Sequence, residues 1–492
     1  MRFLTVLAIS AVLSAPSLAA DRPNVLLICV DDLKPTLGCY GDALARTPNI
    51  DQLAARGMRF DRAYCNQAVC SPSRNALLTG LRPQSLGIYD LPTNFRAAAP
   101  DAVTLPQHFK ANGYRTQGLG KIFHVGHGNV DDAASWSVPL WKANVIGYAL
   151  KKNRGSSGLT REEARFANQG DARARKLPRG AAYESADVGD DAYADGRMAE
   201  ETVKRLREAA KKPDEPFFLA VGFVKPHLPF CAPKKYWDLH DPAAFKLAER
   251  RTAPDGAPSY APTTWGELRQ YRGIPAKGDL PDELQRTLIH GYYAAASYMD
   301  AQVGKVLAAL DETGLAENTI IVFWGDHGWH LGDHGMWCKH SNYEQAAHIP
   351  LLVVAPGVTS PGAVSAALVE SVDVYPTLCS LAGLETPTEL DGASFADNLR
   401  DPAADGEPVA FHVYPRGDRL GRAVRTPRHR LVEWKQPGAA ADTAELELYD
   451  YESDPGETKN LAAEQPKVVA ELRALLATQP EAKPQIAPAA AR

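Results

Sequence analysis

The 492-residue chain has little net charge, few cysteines and, beyond its first twenty residues, no apolar run long enough to span a bilayer. Each shortage removes a class of function. A formal charge of −5 gives no global attraction for nucleic acid. Without a second long apolar run there is no membrane span. The seven cysteines, at positions 29, 39, 65, 70, 231, 338 and 379, show no metal-finger spacing. An odd number in an exported monomer leaves at least one unpaired, and Cys70 is the candidate. Export is expected from residues 1–20, where Arg2 precedes the apolar run Phe3 to Val12 and the small residues Ser17 to Ala20, a removable leader to a periplasmic or secreted location.

What is present is enough apolar sequence, 45% of the chain, for a large core. Asn24–Val30, Phe217–Val224 and Thr319–Trp324 are continuous apolar runs of strand length, as expected of parallel strands covered on both faces. They alternate with helical patterns at 49–56, 107–112, 191–210 and 284–313, which predicts an α/β architecture around a mostly parallel sheet. Phe60–Tyr64, 114–119 and 350–354 read as further strands, and 372–384 as another helix. Past Pro402 the texture changes to short strands near 409–414, 422–425, 429–434 and 445–449, followed by a helix near 466–477. The expected division is a catalytic unit over 21–403, a smaller C-terminal α+β subdomain with an antiparallel sheet over 404–478, and a disordered Ala/Pro-rich tail over 479–492. The glycine-rich, charged stretch 147–185 reads as a mobile surface insertion whose basic residues could help recruit an anion, and 242–281 reads as loop.

Around residue 70 a thiol, an arginine and a helix start coincide. Ser71 can cap a helix, Pro72 suits its first position and Gly80 can end it. Cys70 would then sit just before free backbone N–H groups, with a lowered pKa, and Arg74 could aim its fork at an oxyanion above it. Asp31, Asp32 and Asp326 follow two of the buried strands. Parallel α/β sheets gather their active groups at such carboxyl ends. Clustered carboxylates repel, so a cation between them is the natural resolution. Oxygen ligands favour Ca²⁺ or Mg²⁺, while His327 adds a nitrogen that loosens that preference. Lys121 with His124, and Lys225 with His227, each follow a strand, and Lys339 lies downstream of Asp326; an anion site needs such cations and a proton carrier. The Gly332–Gly335 echo of Gly325–Gly328 reads as a loop repeat.

The segments Asn24-Val25-Leu26-Leu27…Asp31-Asp32, Thr47-Pro48-Asn49-Ile50-Asp51, Cys70-Ser71-Pro72-Ser73-Arg74, Gly120-Lys121-Ile122-Phe123-His124, Lys225-Pro226-His227 and Gly325-Asp326-His327-Gly328, in that order, resemble the type I sulfatases. Within that family His327, where many members have Asn, is similar to the iduronate-2-sulfatase branch and its bacterial relatives. The pattern Leu448-Tyr449-Asp450…Asp454-Pro455…Glu457…Asn460-Leu461 resembles the family's C-terminal motif. The resemblance implies an alkaline-phosphatase-like fold and hydrolysis of carbohydrate sulfate esters, with a 2-sulfated uronic acid as substrate. It also implies oxidation of Cys70 to formylglycine by a formylglycine-generating enzyme, and one Ca²⁺, with Mg²⁺ second, held by Asp31, Asp32, Asp326, His327 and the modified Cys70. Arg74 and Lys121 would stabilise the hydrate and the sulfate; His124, His227 and Lys339 would complete the pocket. A phosphatase or phosphonate monoester hydrolase of the same superfamily, and a silent carbohydrate-binding relative, are the alternatives.

Overall fold

The computed structural model describes residues 22–144, 147–154 and 158–487. The leader 1–20 lies outside them, as does the end of the tail, 488–492. A seven-stranded sheet runs in the order Ala363–Glu370, Met58–Tyr64, His348–Val354, Thr319–Gly325, Asn24–Val30, Phe217–Phe223, Arg115–Gly120. All neighbours pair in parallel except His348–Val354, which runs against both of its neighbours, so the sheet is mixed with one reversed strand. The three apolar runs are buried along their whole length, with Asn24–Val30 at the centre between the other two.

Helices cover both faces. On one, Pro48–Arg56, Ala194–Ala209 and the 31-residue helix Asp282–Glu312 bury Leu53, Met198, Met299, Val303 and Val306 against Leu26, Ile28 and Phe323. On the other, Cys70–Thr79, Leu105–Ala111 and Val374–Leu381 bury Leu77, Leu78, Phe109 and Tyr375 against Leu27, Phe60 and Val322. Truncating one of these, such as Leu27→Ala, costs about 2–5 kcal/mol because the close-packed layers cannot collapse into the void. A four-stranded antiparallel sheet, Ala410–Arg416, Arg419–Arg425, His429–Lys435 and Glu445–Asp450, packs its apolar face on the helix Pro466–Leu476. It is joined to the larger unit by buried polar contacts, including Arg425 with Glu344 at 3.2 Å.

Two expectations change, and one strand is new. The edge strand Ala363–Glu370 gave no clear sequence signal, because its two faces are unevenly buried and its first residues are small. The tail is docked over its described part: Lys483 N donates to Gln84 O at 3.0 Å, Ile486 N to Gly87 O at 2.9 Å, and Tyr89 Oη to Lys483 O at 2.7 Å. Backbone pairing, which a compositional reading does not see, holds it there. The stretch 147–185, over its described residues, carries the helix Arg161–Phe166, started by a Thr160/Glu163 capping box, and lies against the candidate site.

Candidate active site

The carboxyl ends of the central strands converge on one buried cluster. Asp31 N donates to Phe223 O and Asp326 N to Val30 O, so the carboxylates continue the sheet's own pairing. Asp32, in the left-handed region at φ 59°, donates its backbone N–H to Asp326 Oδ1 at 2.9 Å. Cys70 enters from the facing helix. That helix begins at Cys70, with Val69 as its cap and no side-chain cap bond, so the thiol stands in the first turn rather than before it. Gly80 ends the helix in the left-handed conformation, as expected.

One ligand atom each from Asp31, Asp32, Cys70 and His327 lies within 4.8 Å of the others, all buried. His327 Nδ1 is 3.0 Å from Gly328 O, which accepts a hydrogen bond from Nδ1–H and leaves the Nε2 lone pair facing Cys70 Sγ at 3.4 Å and Asp32 Oδ1 at 3.3 Å. Asp326 Oδ1 is 3.5 Å from the same nitrogen. Burial pushes the pKa of Asp326 up to about 7; Arg74 opposes this and Asp31 adds to it. Burial likewise raises Asp32 well above its usual range, with Lys339 opposing and Asp31, Glu267 and Asp326 adding. Asp31 is also raised by burial, but Lys121, His227 and Arg74 reverse that and hold it well below the usual carboxylate range. Three buried carboxylates that resist joint ionisation, beside an imidazole lone pair, form a donor set suited to a divalent cation.

The cations are arranged differently from the expectation. Arg74 is completely buried and does not line the cavity above Cys70. Its Nε donates to Asp326 and its Nη2 to Asp31, both at 3.0 Å, while Nη1 donates to the carbonyls of Lys121 and Ile122. Four of the five guanidinium N–H donors thus go to protein acceptors, two of them orienting carboxylates, and a single Nη2–H remains. Lys121 Nζ reaches Asp31 at 2.5 Å and Cys70 Sγ at 3.5 Å. Lys339 Nζ donates to both oxygens of Asp32 at 3.2 Å and to Glu267 at 2.8 Å. His227 points Nε2 at Glu267, 3.3 Å away, and Asp32, 3.8 Å away, with Nδ1 on the Leu228 carbonyl. His124, His227 and His327 all have pKa values driven well below the imidazole range, first by burial. The Cys70 thiol is raised rather than lowered, because burial and then Asp31 outweigh Lys121 and the helix start.

Above Cys70 opens a cavity of about 380 Å³ walled by His124, His227, Lys339 and Glu267, with Phe166, His127, Glu162 and Arg165 contributed by the insertion and its contacts. Sequence reasoning missed Glu267 and this second group. Glu267 lies in the 242–281 loop beside the buried Trp265, and a charge next to a loop tryptophan is only a weak sign of function. Lys225 is drawn away from the cavity by the His227 and Pro229 carbonyls. The Asp333-His334 echo is used locally, Asp333 accepting from Leu331 N and His334 contacting Gly456 O.

Residues 23–384 match the family model described as Sulfatase, and residues 332–482 match the one described as N-sulphoglucosamine sulphohydrolase, C-terminal. The chain is 36% identical to iduronate 2-sulfatase of Homo sapiens, the match covering 90% of this chain and 91% of that protein. It is 30% identical to a sulfatase of Formosa agariphila, covering 90% and 83%. Among solved structures, the phosphonate monoester hydrolase of Agrobacterium radiobacter is similar with a TM-score of 0.72 at 24% identity, covering 93% of this chain and 96% of that one. A 2-O GAG sulfatase gives 0.69 at 23% identity, covering 93% and 91%. These two structural likenesses bear on the fold alone.

Proposed function

The chain belongs to the sulfatase family and is a sulfuric ester hydrolase, and we propose that it removes sulfate from a carbohydrate, with a 2-sulfated uronic acid preferred. The observation that carries this is the meeting of Cys70, Lys121 and the carboxylate cluster at the base of a cavity walled by Lys339, His227 and His124. The similarity to iduronate 2-sulfatase supports the sugar. We also retain residues 1–20 as an export leader, 21–403 as the catalytic unit and 404–478 as a C-terminal subdomain.

Cys70 Sγ occupies the position that the oxygens of a hydrated formylglycine would take. Once oxidised, residue 70 would supply one hydroxyl to attack sulfur and a second whose deprotonation expels sulfate. Asp31, Asp32, Asp326 and His327 would hold one divalent cation, Ca²⁺ from the oxygen-rich set, which neutralises sulfate charge and acidifies the attacking hydroxyl. Lys121 keeps positive charge against residue 70, favouring the anionic form of whatever is bound there. Lys339, moored by Asp32 and Glu267, carries protons at the cavity wall and donates to the departing sugar oxygen. His227 is held by its Nδ1 contact with Leu228 O and orients the sulfate. His124, kept neutral by burial, takes the proton whose removal expels sulfate.

The test is sulfate release from defined sugars by protein modified at residue 70. A 2-sulfated uronosyl disaccharide should exceed its neutral-sugar analogue by about 10- to 100-fold in kcat/KM, the worth of one charge-assisted hydrogen bond. Equal rates would end the uronate assignment and leave the sulfatase assignment standing.

A further inference from the structure

Behind His124 a contact chain continues through His127 to Glu162, two residues that the reaction above leaves unused. His127, at φ 55°, sits in a tight turn closed by reciprocal Gly126–Asn129 backbone bonds, and its N–H donates to Arg165 O at 3.0 Å, which ties the turn to the helix bearing Glu162. His124 Nε2 lies 3.3 Å from His127 Nδ1, and His127 Nε2 lies 3.4 Å from Glu162 Oε1. The two rings stack at 5.4 Å, with Phe166 packed on both.

Donor logic then fixes each proton. An ionised carboxylate only accepts, so His127 Nε2 carries hydrogen. With that hydrogen on Nε2, the singly protonated ring of His127 offers a lone pair at Nδ1, to which His124 donates from Nε2. The lone pair of neutral His124 is left on Nδ1. That atom is buried, has no hydrogen-bond partner among the described residues, and belongs to a residue lining the cavity with Cys70.

We propose that His127 and Glu162 are positioning residues that lock His124 in its Nε2–H tautomer and so present Nδ1 as the base for sulfate expulsion. The inference rests on the reading of His124 as that base. When Nδ1 gains the hydroxyl proton, the freed O–H pair forms the C=O bond of the aldehyde, the C–O bond to sulfate breaks, sulfate leaves with the pair of that broken bond, and His124 becomes an imidazolium. Its Nε2–H still donates to His127, and through that ring the new charge faces the Glu162 carboxylate, as in other carboxylate-oriented histidines. The surroundings make this counter-charge matter: Lys121 and Arg74 oppose positive charge on His124, with Asp31 favouring it. Arg165, 3.3 Å from Glu162, and His227, across Phe166, are the other charged or titratable groups facing the chain.

The probe is 4-nitrophenyl sulfate, whose leaving group needs no proton, so turnover reports sulfate expulsion. His127→Leu should lower kcat roughly 10- to 100-fold with little change in KM, and a sulfate adduct should accumulate on residue 70 by intact mass. His127→Gln, whose amide oxygen can accept from His124 Nε2–H, should recover most of the loss. Glu162→Gln keeps an acceptor for His127 but removes the charge; kcat should fall less, and the acidic limb of the kcat–pH profile should move to lower pH because the imidazolium has lost its counter-charge. Unchanged kcat and pH profile in His127→Leu and Glu162→Gln, in protein matching the parent in thermal midpoint and residue 70 modification, overturn the proposal, as does an effect confined to KM. His124→Ala separates the two levels. If it alone traps the adduct, the positioning chain is rejected and the base stands; if it turns over normally, both fall.

Discussion

Arg74→Met is the perturbation that most sharply separates a structural from a substrate role for this arginine. In the structure Arg74 is fully buried and bridges Asp31 and Asp326 through two 3.0 Å bonds. Methionine keeps much of the volume and removes the charge, leaving two buried carboxylates short of a partner. Breaking a buried ion pair from one side costs about 3–5 kcal/mol. A chain of this length unfolds with an entropy of roughly 1 kcal/mol per kelvin, so the thermal midpoint should fall by about 3–5 °C. Asp326, already pushed up to about 7 by burial, loses the cation that holds it down and should rise further. Protons then compete with the bound metal, so less metal per chain should be retained at pH 6 than at pH 8, more steeply than in the parent. Arg74 also stands in the Cys70–Arg74 segment where the proposed oxidation of Cys70 would take place, so activity alone is not a usable readout. Differential scanning calorimetry with elemental analysis is the assay. An unchanged midpoint and metal content, with a raised KM alone, would refute the reasoning and return Arg74 to the oxyanion.

Lys339→Ala should slow sugar sulfates by about 100-fold while affecting 4-nitrophenyl sulfate far less, because only the sugar oxygen needs a proton on leaving; loss of the uronate preference without a general slowing would move Lys339 to the substrate carboxylate. Glu344 tests the contact between the two sheets. Burial raises its pKa, but Arg425 and then His348 bring it down from 4.5 to about 2, so its stabilisation is complete above pH 4.5 and is lost as the pH falls towards 2. Glu344→Gln should flatten the fall of the thermal midpoint across that window, and an unaltered slope would contradict the assignment. Chelation at neutral pH should abolish activity and lower the midpoint, with Ca²⁺ restoring both; recovery with two zinc ions instead would favour phosphoryl chemistry.

Much of this was legible in the chain because the central strands are buried on both faces and so read as unbroken apolar runs ending in the residues that do chemistry. Asp31, Asp32, Asp326, His327, Lys121 and Cys70 stand next to such runs or in a compact motif, and the structure brings them together. What the sequence hides is direction. Arg74 could be placed near Cys70, but that its fork turns down to the carboxylates is decided by three strand ends meeting across more than two hundred residues of sequence. Glu267 and Glu162 come from segments without periodicity, and their positions depend on how the loops fold back over the sheet. The reversed strand His348–Val354 looks like any buried strand, because side-chain burial does not encode polarity.

The most direct measurement is the mass of the tryptic peptide Ala63–Arg74 from protein that is turning over a sulfate ester, with fragment ions assigning Cys65 and Cys70 separately. The account predicts an intact thiol at Cys65 and, at residue 70, an aldehyde formed by loss of sulfur and gain of oxygen, in proportion to specific activity across preparations. Full activity from protein whose residue 70 is wholly unmodified cysteine would contradict it.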